Sequence, residues 1–305
     1  MPAPIALFVY DRPVQTESTL ELLRHNARSA ESDLIVFSDG ARSAVNEAGV
    51  AATRALLADV RGFRSVRVVT RPENLGLAGS ISAGVTEVLR EHDRVIVLED
   101  DMLTSPQFLD YMNAGLDRFA GDARVGSIHA YMYPIEGLPP YFFIRGGDCW
   151  GWATWRDRWT ALWEPDGRLL LRRLRERGLL RAFDRTGGSD NLAMLLEQIR
   201  GRNSSWFIRW HAALFLASKL TLQPGRSFIH NIGVDASGTH GVTTNAFDVV
   251  PQTSFDGLPE LAIEEDRGAI DEIAHFFDRV HGRRWPQRAV RYILNQIRLR
   301  VVLHG

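Results

Sequence analysis

The chain has 305 residues, of which 45% are hydrophobic and 24% are charged. These values are typical of a globular protein and exclude a disordered, collagen-like or coiled-coil chain. The formal net charge of -1 disfavours a dedicated nucleic-acid binder, which normally carries an excess of basic residues. The single cysteine, Cys149, excludes an intramolecular disulfide and a multi-cysteine zinc site.

Short apolar segments alternate with amphipathic segments over residues 1–101. The apolar segments predict strands at 5–10, 34–40, 66–70 and 95–101. The amphipathic segments predict helices at 14–29, 44–60 and 79–91. Continuously apolar strands that alternate with helices are typical of a sheet buried on both faces. The sequence therefore predicts an α/β fold with a mostly parallel twisted sheet and helices on both of its faces.

The pattern becomes less regular after residue 101. Helices are predicted at 106–119, 168–182 and 189–200, and strands at 125–130 and 227–233. Between them, residues 131–159 are rich in aromatic residues, glycine and proline. Weak periodicity predicts a linker at 242–262, followed by a helical region.

Polar residues follow the predicted strands at the points where the strands end. They are Asp11, Asp39, Glu73, Asn74, Glu99, Asp100 and Asp101. In a parallel sheet these positions share one edge, which is where ligands bind. Loops are polar in any protein, so the specific signal is the triplet Glu99-Asp100-Asp101 directly after an apolar run. Adjacent carboxylates repel one another, and their oxygens suit Mn²⁺ or Mg²⁺, so the triplet predicts a divalent-cation site.

The segment PENLGLAGS (72–80) follows the third predicted strand. Gly76 allows a tight turn, and the small residues Ala78, Gly79 and Ser80 open a helix. A helix N-terminus lined by small residues can approach a phosphate or diphosphate closely. An ordinary turn between a strand and a helix is the alternative interpretation.

Taken together, these segments resemble a GT-A glycosyltransferase. The resemblance rests on the Asp-x-Pro after the first strand, FSDG after the second, RPENLGLAGSISAG, and VIVLEDDMLTSPQFL. Their order is that of the family 2 glycosyltransferases. The form EDD, the later CWGWATW and the late GTHG are closer to the N-acetylglucosaminyltransferase I family. The resemblance is good over 1–160, looser over 185–241 and absent beyond.

The resemblance implies roles for individual residues. Asp101 would bind a Mn²⁺ or Mg²⁺ ion that holds the diphosphate of a nucleotide-sugar donor, with a uridine nucleotide as the usual donor. The other donor-binding residues implied are Asp11, Arg12, Asp39, Asn74, Glu99 and Asp100. Residues 1–130 would form the nucleotide-sugar-binding half of one domain, and 131–241 its acceptor-binding and catalytic half.

An inverting enzyme of this class needs a carboxylate that deprotonates the acceptor hydroxyl. In the resembled families this base lies at a helix N-terminus after the acceptor loop, a place that Asp190 occupies here. Helix capping would equally explain an aspartate at that position. Ser189 stands where family 2 enzymes have the first acid of a Glu-Asp pair, so Glu197 and Asp148 remain alternative bases.

Aromatic and histidine side chains supply further candidates. Most of the tryptophans are expected in the core, because large aromatic residues are usually buried. Trp150 follows Gly146-Gly147-Asp148, and with Asp148 it is predicted to contact the acceptor. His240 in the segment SGTHG is a candidate second metal ligand, with a plain loop histidine as the alternative.

The last residues, 242–305, are predicted to form the linker and a helical tail. Residues 283–305 contain six arginines and no acid. This segment would either contact an anionic membrane or pack its apolar side on the catalytic domain. No apolar run is long enough to span a bilayer, so we expect a cytoplasmic protein. If residues 283–305 contact a membrane, we expect the protein to lie peripherally at its inner face.

The sequence thus predicts an inverting, metal-dependent hexosyl- or N-acetylhexosaminyl-transferase. Its partners would be a nucleotide-diphospho-sugar donor and a glycan or glycolipid acceptor, as in polysaccharide biosynthesis. A catalytically inactive sugar-binding or scaffold protein on the same fold is an alternative, against which the intact acidic triplet argues. A sugar-phosphate nucleotidyltransferase would need a glycine-rich loop after the first strand, where this chain has YDRPVQT.

Overall fold

The computed structural model describes residues 1–185, 190–233 and 245–281, together with residues 299 and 302. Its strands are β1 (Ile5–Val9), β2 (Asp33–Ser38), β3 (Ser65–Thr70), β4 (Arg94–Glu99), β5 (Met102–Thr104), β6 (Val125–His129), β7 (Tyr141–Arg145), β8 (Trp152–Trp155), β9 (Leu220–Pro224) and β10 (Ile229–Asn231). Its helices are α1 (Pro13–Arg24), α2 (Ala44–Leu57), α3 (Gly76–Glu91), α4 (Phe108–Arg118), α5 (Arg156–Leu162), α6 (Gly167–Glu176), α7 (Leu180–Arg185), α8 (Asn191–Ile199), α9 (Phe207–Leu216) and α10 (Arg267–Val280).

The central sheet has the strand order β3-β2-β1-β4-β8-β6-β9-β7 within the described part of the chain. The first four strands of this order are parallel to one another. Strand β8 pairs antiparallel with both β4 and β6, β9 is parallel to β6, and β7 is antiparallel to β9. A mostly parallel sheet flanked by helices is therefore confirmed.

Both faces of the sheet are buried at its central strand β1, as the continuous apolar strands predict, whereas the edge strand β3 is only partly buried. In β1, Ile5, Leu7 and Val9 join one hydrophobic cluster, whereas Ala6 and Phe8 join another. Successive side chains of a strand point to opposite faces, so the two clusters lie on the two sides of the sheet. Burying one such side chain stabilises the folded protein by on the order of 2 kcal/mol. Because the strands are held by this packing, the residues at their ends occupy defined positions.

Several elements of the second half differ from the prediction. Strands β7, β8 and β9 and helix α9 were not predicted, because aromatic and glycine-rich residues obscure their periodicity. The single helix predicted at 168–182 is divided into α6 and α7 by Gly178, whose φ of 66° ends the first helix. Helix α8 lies where a helix was predicted at 189–200.

The segment predicted as a linker lies along the body of the protein where it is described. Phe255 and Leu258 pack against the core cluster that includes β1, and the backbone N–H of Asp266 donates to the carbonyl of Phe143 on β7 at 2.8 Å. This pairing covers the exposed edge of the sheet before α10 begins.

Two described residues of the tail, Leu299 and Val302, are buried in the helical cluster formed by α6, α7, α8 and α9. Arg168 on α6 donates to the carbonyl of Val302 at 3.0 Å. These contacts favour the docked alternative for the tail, although Tyr292, Ile293 and Ile297 lie outside the described residues. Among the described helices, none has the length and hydropathy to cross a membrane.

Candidate functional site

The ends of β1, β2, β3 and β4 meet at one edge of the sheet, and the loops that follow them bond to one another. The backbone N–H of Asp39 donates to the carbonyl of Val9 at 3.3 Å. Gly40 in turn donates to the carbonyl of Glu73 at 3.3 Å. The predicted convergence of polar residues at this edge is therefore present in the structure.

Arg12 lies against the acidic triplet that follows β4. One of its terminal nitrogens, Nη2, is 2.9 Å from Asp101 Oδ2 and also pairs with Asp100. Asp100 and Asp101 are buried, with exposed fractions of 3% and 7%. The pair of carboxylates stabilises the charged guanidinium and raises the pKa of Arg12, so one cation faces three acidic side chains.

Glu99, at the end of β4, is the third acid of the triplet. Burial raises its pKa to about 8, and the charges of Asp101 and Asp100 add to this effect. The charge of Arg12 and, to a smaller extent, the polar N–H of the buried Trp206 lower the pKa of Glu99 and so oppose the shift. The negative charge at the end of β4 is thus only partly balanced by the protein itself.

Asp101 is suited to hold a divalent cation. Within the described residues, no group donates to its buried Oδ1. A Cβ on Gly233 would lie only 2.0 Å from Asp101 Oδ2, so any larger residue would displace this carboxylate. Mg²⁺ and Mn²⁺ are commonly bound by one or two carboxylates together with substrate phosphates. The residues therefore fit a cation that a bound diphosphate would help to hold.

The described residues contain no group of three or more His, Cys, Asp or Glu side chains arranged to hold a metal ion alone. His240, the predicted second ligand, lies outside the described residues. An ion at Asp101 would thus take its other ligands from substrate and water, at least in part.

Asp39 and Asn74 fasten the loop between β3 and α3. Both carboxylate oxygens of the buried Asp39 accept from the backbone N–H of Leu75 at 3.0 Å. Asn74 donates to the carbonyl of Gly40 at 2.7 Å and accepts from the N–H of Gly76 at 3.1 Å. These two side chains shape the edge of the site, and nucleoside recognition by Asp39 stays a prediction.

Asp11 connects the start of α1 to α2. Its Oδ2 accepts from Asn46 at 2.7 Å, and a Cβ on Gly49 would lie 2.6 Å from its carbonyl oxygen. Glycine at that position therefore lets α2 approach the loop after β1. Donor binding by Asp11 stays a prediction.

Two buried histidines flank the loop between β7 and β8. Nδ1 of His211 on α9 is 2.9 Å from the carbonyl of Gly147, and its Nε2 is 3.3 Å from the side-chain nitrogen of Asn191. Asp148 accepts from the N–H of Cys149 at 2.8 Å, and its Oδ1 is 3.7 Å from Nε2 of His129 on β6. The Asp148 carboxylate thus lies between His129 on strand β6 and the backbone N–H of the next residue, Cys149.

Asp190 directly precedes α8 and adopts a left-handed conformation, with φ of 68°. Its side chain does not cap the helix, so the capping explanation for this residue fails. Asn191, the next residue, links the start of α8 through His211 to the loop that carries Asp148. A non-glycine residue held at positive φ is uncommon and is often found at functional positions.

Glu197, the other catalytic candidate on α8, lies near the far end of the helix. It forms ion pairs with Arg200 at 4.0 Å and Arg202 at 3.6 Å. Seven residues of helix correspond to about 10 Å, so Asp190 and Glu197 lie at opposite ends of α8. Both assignments of the base, to Asp190 and to Glu197, stay predictions.

The tryptophans are mostly core residues, as predicted. The buried ones, none more than 4% exposed, are Trp152, Trp155, Trp159, Trp206 and Trp210. Trp150 is partly exposed, and its ring makes an edge contact with Tyr131 at a centroid distance of 4.7 Å. Trp150 therefore keeps its place as the candidate stacking surface for an acceptor.

Of three residues near these candidates, His129 and His211 were not predicted as site residues, and Trp206 was considered only with the other tryptophans, most of which are expected in the core. His129, His211 and Trp206 contact Asp148, Gly147 and Glu99 respectively. Only His129 carried a signal, because it lies near the end of a predicted strand, at the edge where polar residues gather. The other two are on helix α9 or directly before it, so their contacts depend on long-range packing.

No protein-family model matches this chain, and no curated protein matches it. It is similar to the mannosyltransferase PcManGT from Pyrobaculum calidifontis in complex with GDP-Man and Mn²⁺, with TM-score 0.36, 15% identity, and 53% of this chain and 48% of that chain covered. It is also similar to S. aureus TarS, with TM-score 0.32, 13% identity, and 45% of this chain and 23% of that chain covered. For mouse xyloside xylosyltransferase 1 the TM-score is 0.35 and the identity is 13%, with 52% of this chain and 69% of that chain covered. The chain thus spans less than half the length of the first two structures.

Proposed function

We propose that this protein is a nucleotide-sugar-dependent, inverting glycosyltransferase of the GT-A type. The observation that carries the proposal is the acidic triplet at the end of β4, with one buried oxygen of Asp101 left without a donor among the described residues. The loops that follow β1, β2 and β3 lie at the same edge and supply the surroundings of a donor site. The sequence motifs at these strand ends support the same assignment.

Asp101 would hold the divalent cation, and Glu99 and Asp100 would border the donor. When bound, Mn²⁺ or Mg²⁺ neutralises the charge of the diphosphate, which improves it as a leaving group. Arg12 already pairs with Asp100 and Asp101, so it stands where it can contact the same diphosphate. The partly balanced negative charge of the triplet favours a ligand that brings a cation with it.

Asp190 would act as the base for the acceptor. Its carboxylate would take the proton of an acceptor hydroxyl while that oxygen attacks the anomeric carbon and the bond to the diphosphate breaks. Asp148 and Trp150 would orient the acceptor, which we take to be a glycan or glycolipid. Membrane contact is not part of the proposal, because both described residues of the tail are buried against the body.

A screen of nucleoside diphosphates with and without Mn²⁺, read by thermal unfolding, tests the proposal. A ligand that binds the folded state raises the unfolding temperature by mass action. We expect a uridine or other nucleoside diphosphate to stabilise the protein only together with the metal. Donor hydrolysis in the same samples separates an enzyme from an inactive sugar-binding protein, which would bind without turnover. The absence of any metal-dependent nucleotide binding would contradict the proposal.

A further inference from the structure

His129 and Gln223 form a buried polar pair behind Asp148. His129 ends β6 and is 1% exposed, and Gln223 on β9 is equally buried. Nδ1 of His129 is 2.8 Å from Oε1 of Gln223. The imidazole is thus fixed in orientation, with its other nitrogen turned toward Asp148 at 3.7 Å.

The second nitrogen of His129 has an unusual environment. Nε2 is buried and has no hydrogen-bond partner within the described residues. Buried polar atoms are nearly always hydrogen-bonded, and an unsatisfied one is costly. A bare Nε2 lone pair that faced a carboxylate would add electrostatic repulsion to this cost. The arrangement becomes favourable once Nε2 carries a proton.

The orientation of the Gln223 amide does not change this conclusion. With Oε1 toward His129, Nδ1 donates, and a proton on Nε2 makes the ring a cation that is paired with Asp148. With the amide reversed, Nδ1 accepts, and the neutral ring carries its single proton on Nε2. In both cases the proton points at Asp148, and a shift of less than 1 Å brings the two atoms to hydrogen-bond distance.

The Asp148 carboxylate is not completely buried, so a ligand in solution can contact it. Its side chain is 17% exposed, and it is anchored by the N–H of Cys149 at 2.8 Å. Burial and then the nearby charge of Asp148 raise the pKa of Tyr131, so the carboxylate lies near this phenol. Trp150 contacts the same tyrosine. Asp148 is therefore presented beside the predicted acceptor surface.

We propose that His129 directs an Nε2 proton at Asp148 and so holds this carboxylate in position to accept a hydrogen bond from a sugar hydroxyl of the acceptor. The proton pairing concerns the protein alone, whereas the acceptor role rests on the proposed function. His129 is accordingly a positioning residue, which acts through Asp148 and not on the reacting atoms.

Nitrogen NMR of the full chain with ¹⁵N-labelled histidine tests the pairing without any substrate. His129→Asn removes the His129 signals and so assigns them among the nine histidines. We expect a protonated Nε2 at neutral pH, with a resonance that moves in Asp148→Asn because a neutral amide oxygen is a weaker acceptor. An unprotonated Nε2, or a resonance that Asp148→Asn leaves unchanged, would overturn the pairing.

Transfer kinetics test the positioning role. His129→Asn keeps a donor for Gln223 but loses the contact with Asp148, so kcat/KM for the acceptor should fall about 10- to 100-fold, with nucleotide binding unchanged. His129→Gln, whose amide reaches the position of Nε2, should restore part of this loss. Ser127→Ala is the matched control, because it removes a buried hydrogen bond from the same strand to the carbonyl of Ala153.

The outcomes separate the pairing from the proposed function. Equal acceptor kinetics in His129→Asn and Ser127→Ala would overturn the positioning role. Absence of transfer in the wild type would overturn the proposed function, and the acceptor role with it, while the NMR result would still decide the pairing. If His129→Asn does not fold, the comparison of His129→Gln and Asp148→Asn with the wild type decides both points.

Discussion

Replacement of Arg12 by glutamine removes the only guanidinium that the structure places against Asp100 and Asp101 among the described residues. Breaking a buried ion pair typically costs about 3–5 kcal/mol, because the remaining charges stay buried without compensation. The Arg12 side chain is 21% exposed, so solvent screens part of the interaction and the low end, about 3 kcal/mol, applies. For a chain of 305 residues, that loss lowers the unfolding temperature by roughly 5 °C.

Divalent metal should reverse much of this loss. In the wild type a cation competes with Arg12 for Asp101, whereas in Arg12→Gln the carboxylates have no competing charge. Thermal unfolding without nucleotide, as a function of Mn²⁺ concentration, should therefore show a larger metal-induced rise in the variant than in the wild type.

The matched control is Arg61→Gln. Arg61 pairs with Asp59 at 2.6 Å, but the two side chains are 83% and 77% exposed. A pair in solvent contributes little, so its unfolding temperature should stay within about 1 °C of the wild type, with the same metal response. The reasoning would be refuted if Arg12→Gln unfolded at the wild-type temperature, or if Mn²⁺ stabilised both proteins equally.

Three further predictions follow from other parts of the site. Asp190→Asn keeps a residue that tolerates the left-handed conformation but removes the base. The rate of sugar transfer should therefore fall at least about a hundredfold, with donor affinity unchanged. Near-normal turnover would exclude Asp190 as the base. Burial lowers the pKa of His211 below its usual 6.5. Below pH 6.5 the unfolded chain therefore binds a proton that the folded protein does not. The loss of free energy of unfolding caused by His211→Asn, measured with denaturant, should be larger at pH 7.5 than at pH 5.5, by up to about 1.4 kcal/mol per pH unit of titration. An equal loss at both pH values would contradict this. Gly146 has φ of 103°, and a Cβ there would lie 2.4 Å from the His211 ring. Gly146→Ala should therefore lower the free energy of unfolding by about 2 kcal/mol or more. Gly121 has open space around it, so Gly121→Ala should change the free energy of unfolding very little.

The sequence was sufficient to predict the parallel half of the sheet and the convergence of polar residues at the ends of its strands. Strands β1, β2 and β4 are short apolar runs, and a run buried on both faces leaves a clear signal in the sequence. Strand β3, at the edge of the sheet, is only partly buried and gives a weaker signal. The acids that follow these runs then meet at one edge because of the parallel order. The acidic triplet follows the last of these runs, so the sequence alone predicts its position at this edge.

The partners of those acids could not be predicted, because they come from distant parts of the chain. Strand β8 lies between β4 and β6 in the sheet, and nothing in its four residues specifies those neighbours. The His129–Gln223 contact joins residues 94 positions apart. The hydrogen bonds from the backbone N–H of Leu75 to the carboxylate of Asp39 likewise depend on loop geometry, which residue type alone does not fix.

The measurement that tests the central claim most directly is the binding of nucleoside diphosphate to the wild type and to Asp101→Asn, by calorimetry with and without Mn²⁺. The substitution keeps the shape of the side chain and removes the carboxylate that would hold the cation. We predict binding that requires Mn²⁺ in the wild type, and loss of this metal dependence in the variant, which should retain a folded thermal transition. Equally tight, equally Mn²⁺-dependent binding by both proteins would contradict a metal-assisted diphosphate site at Asp101.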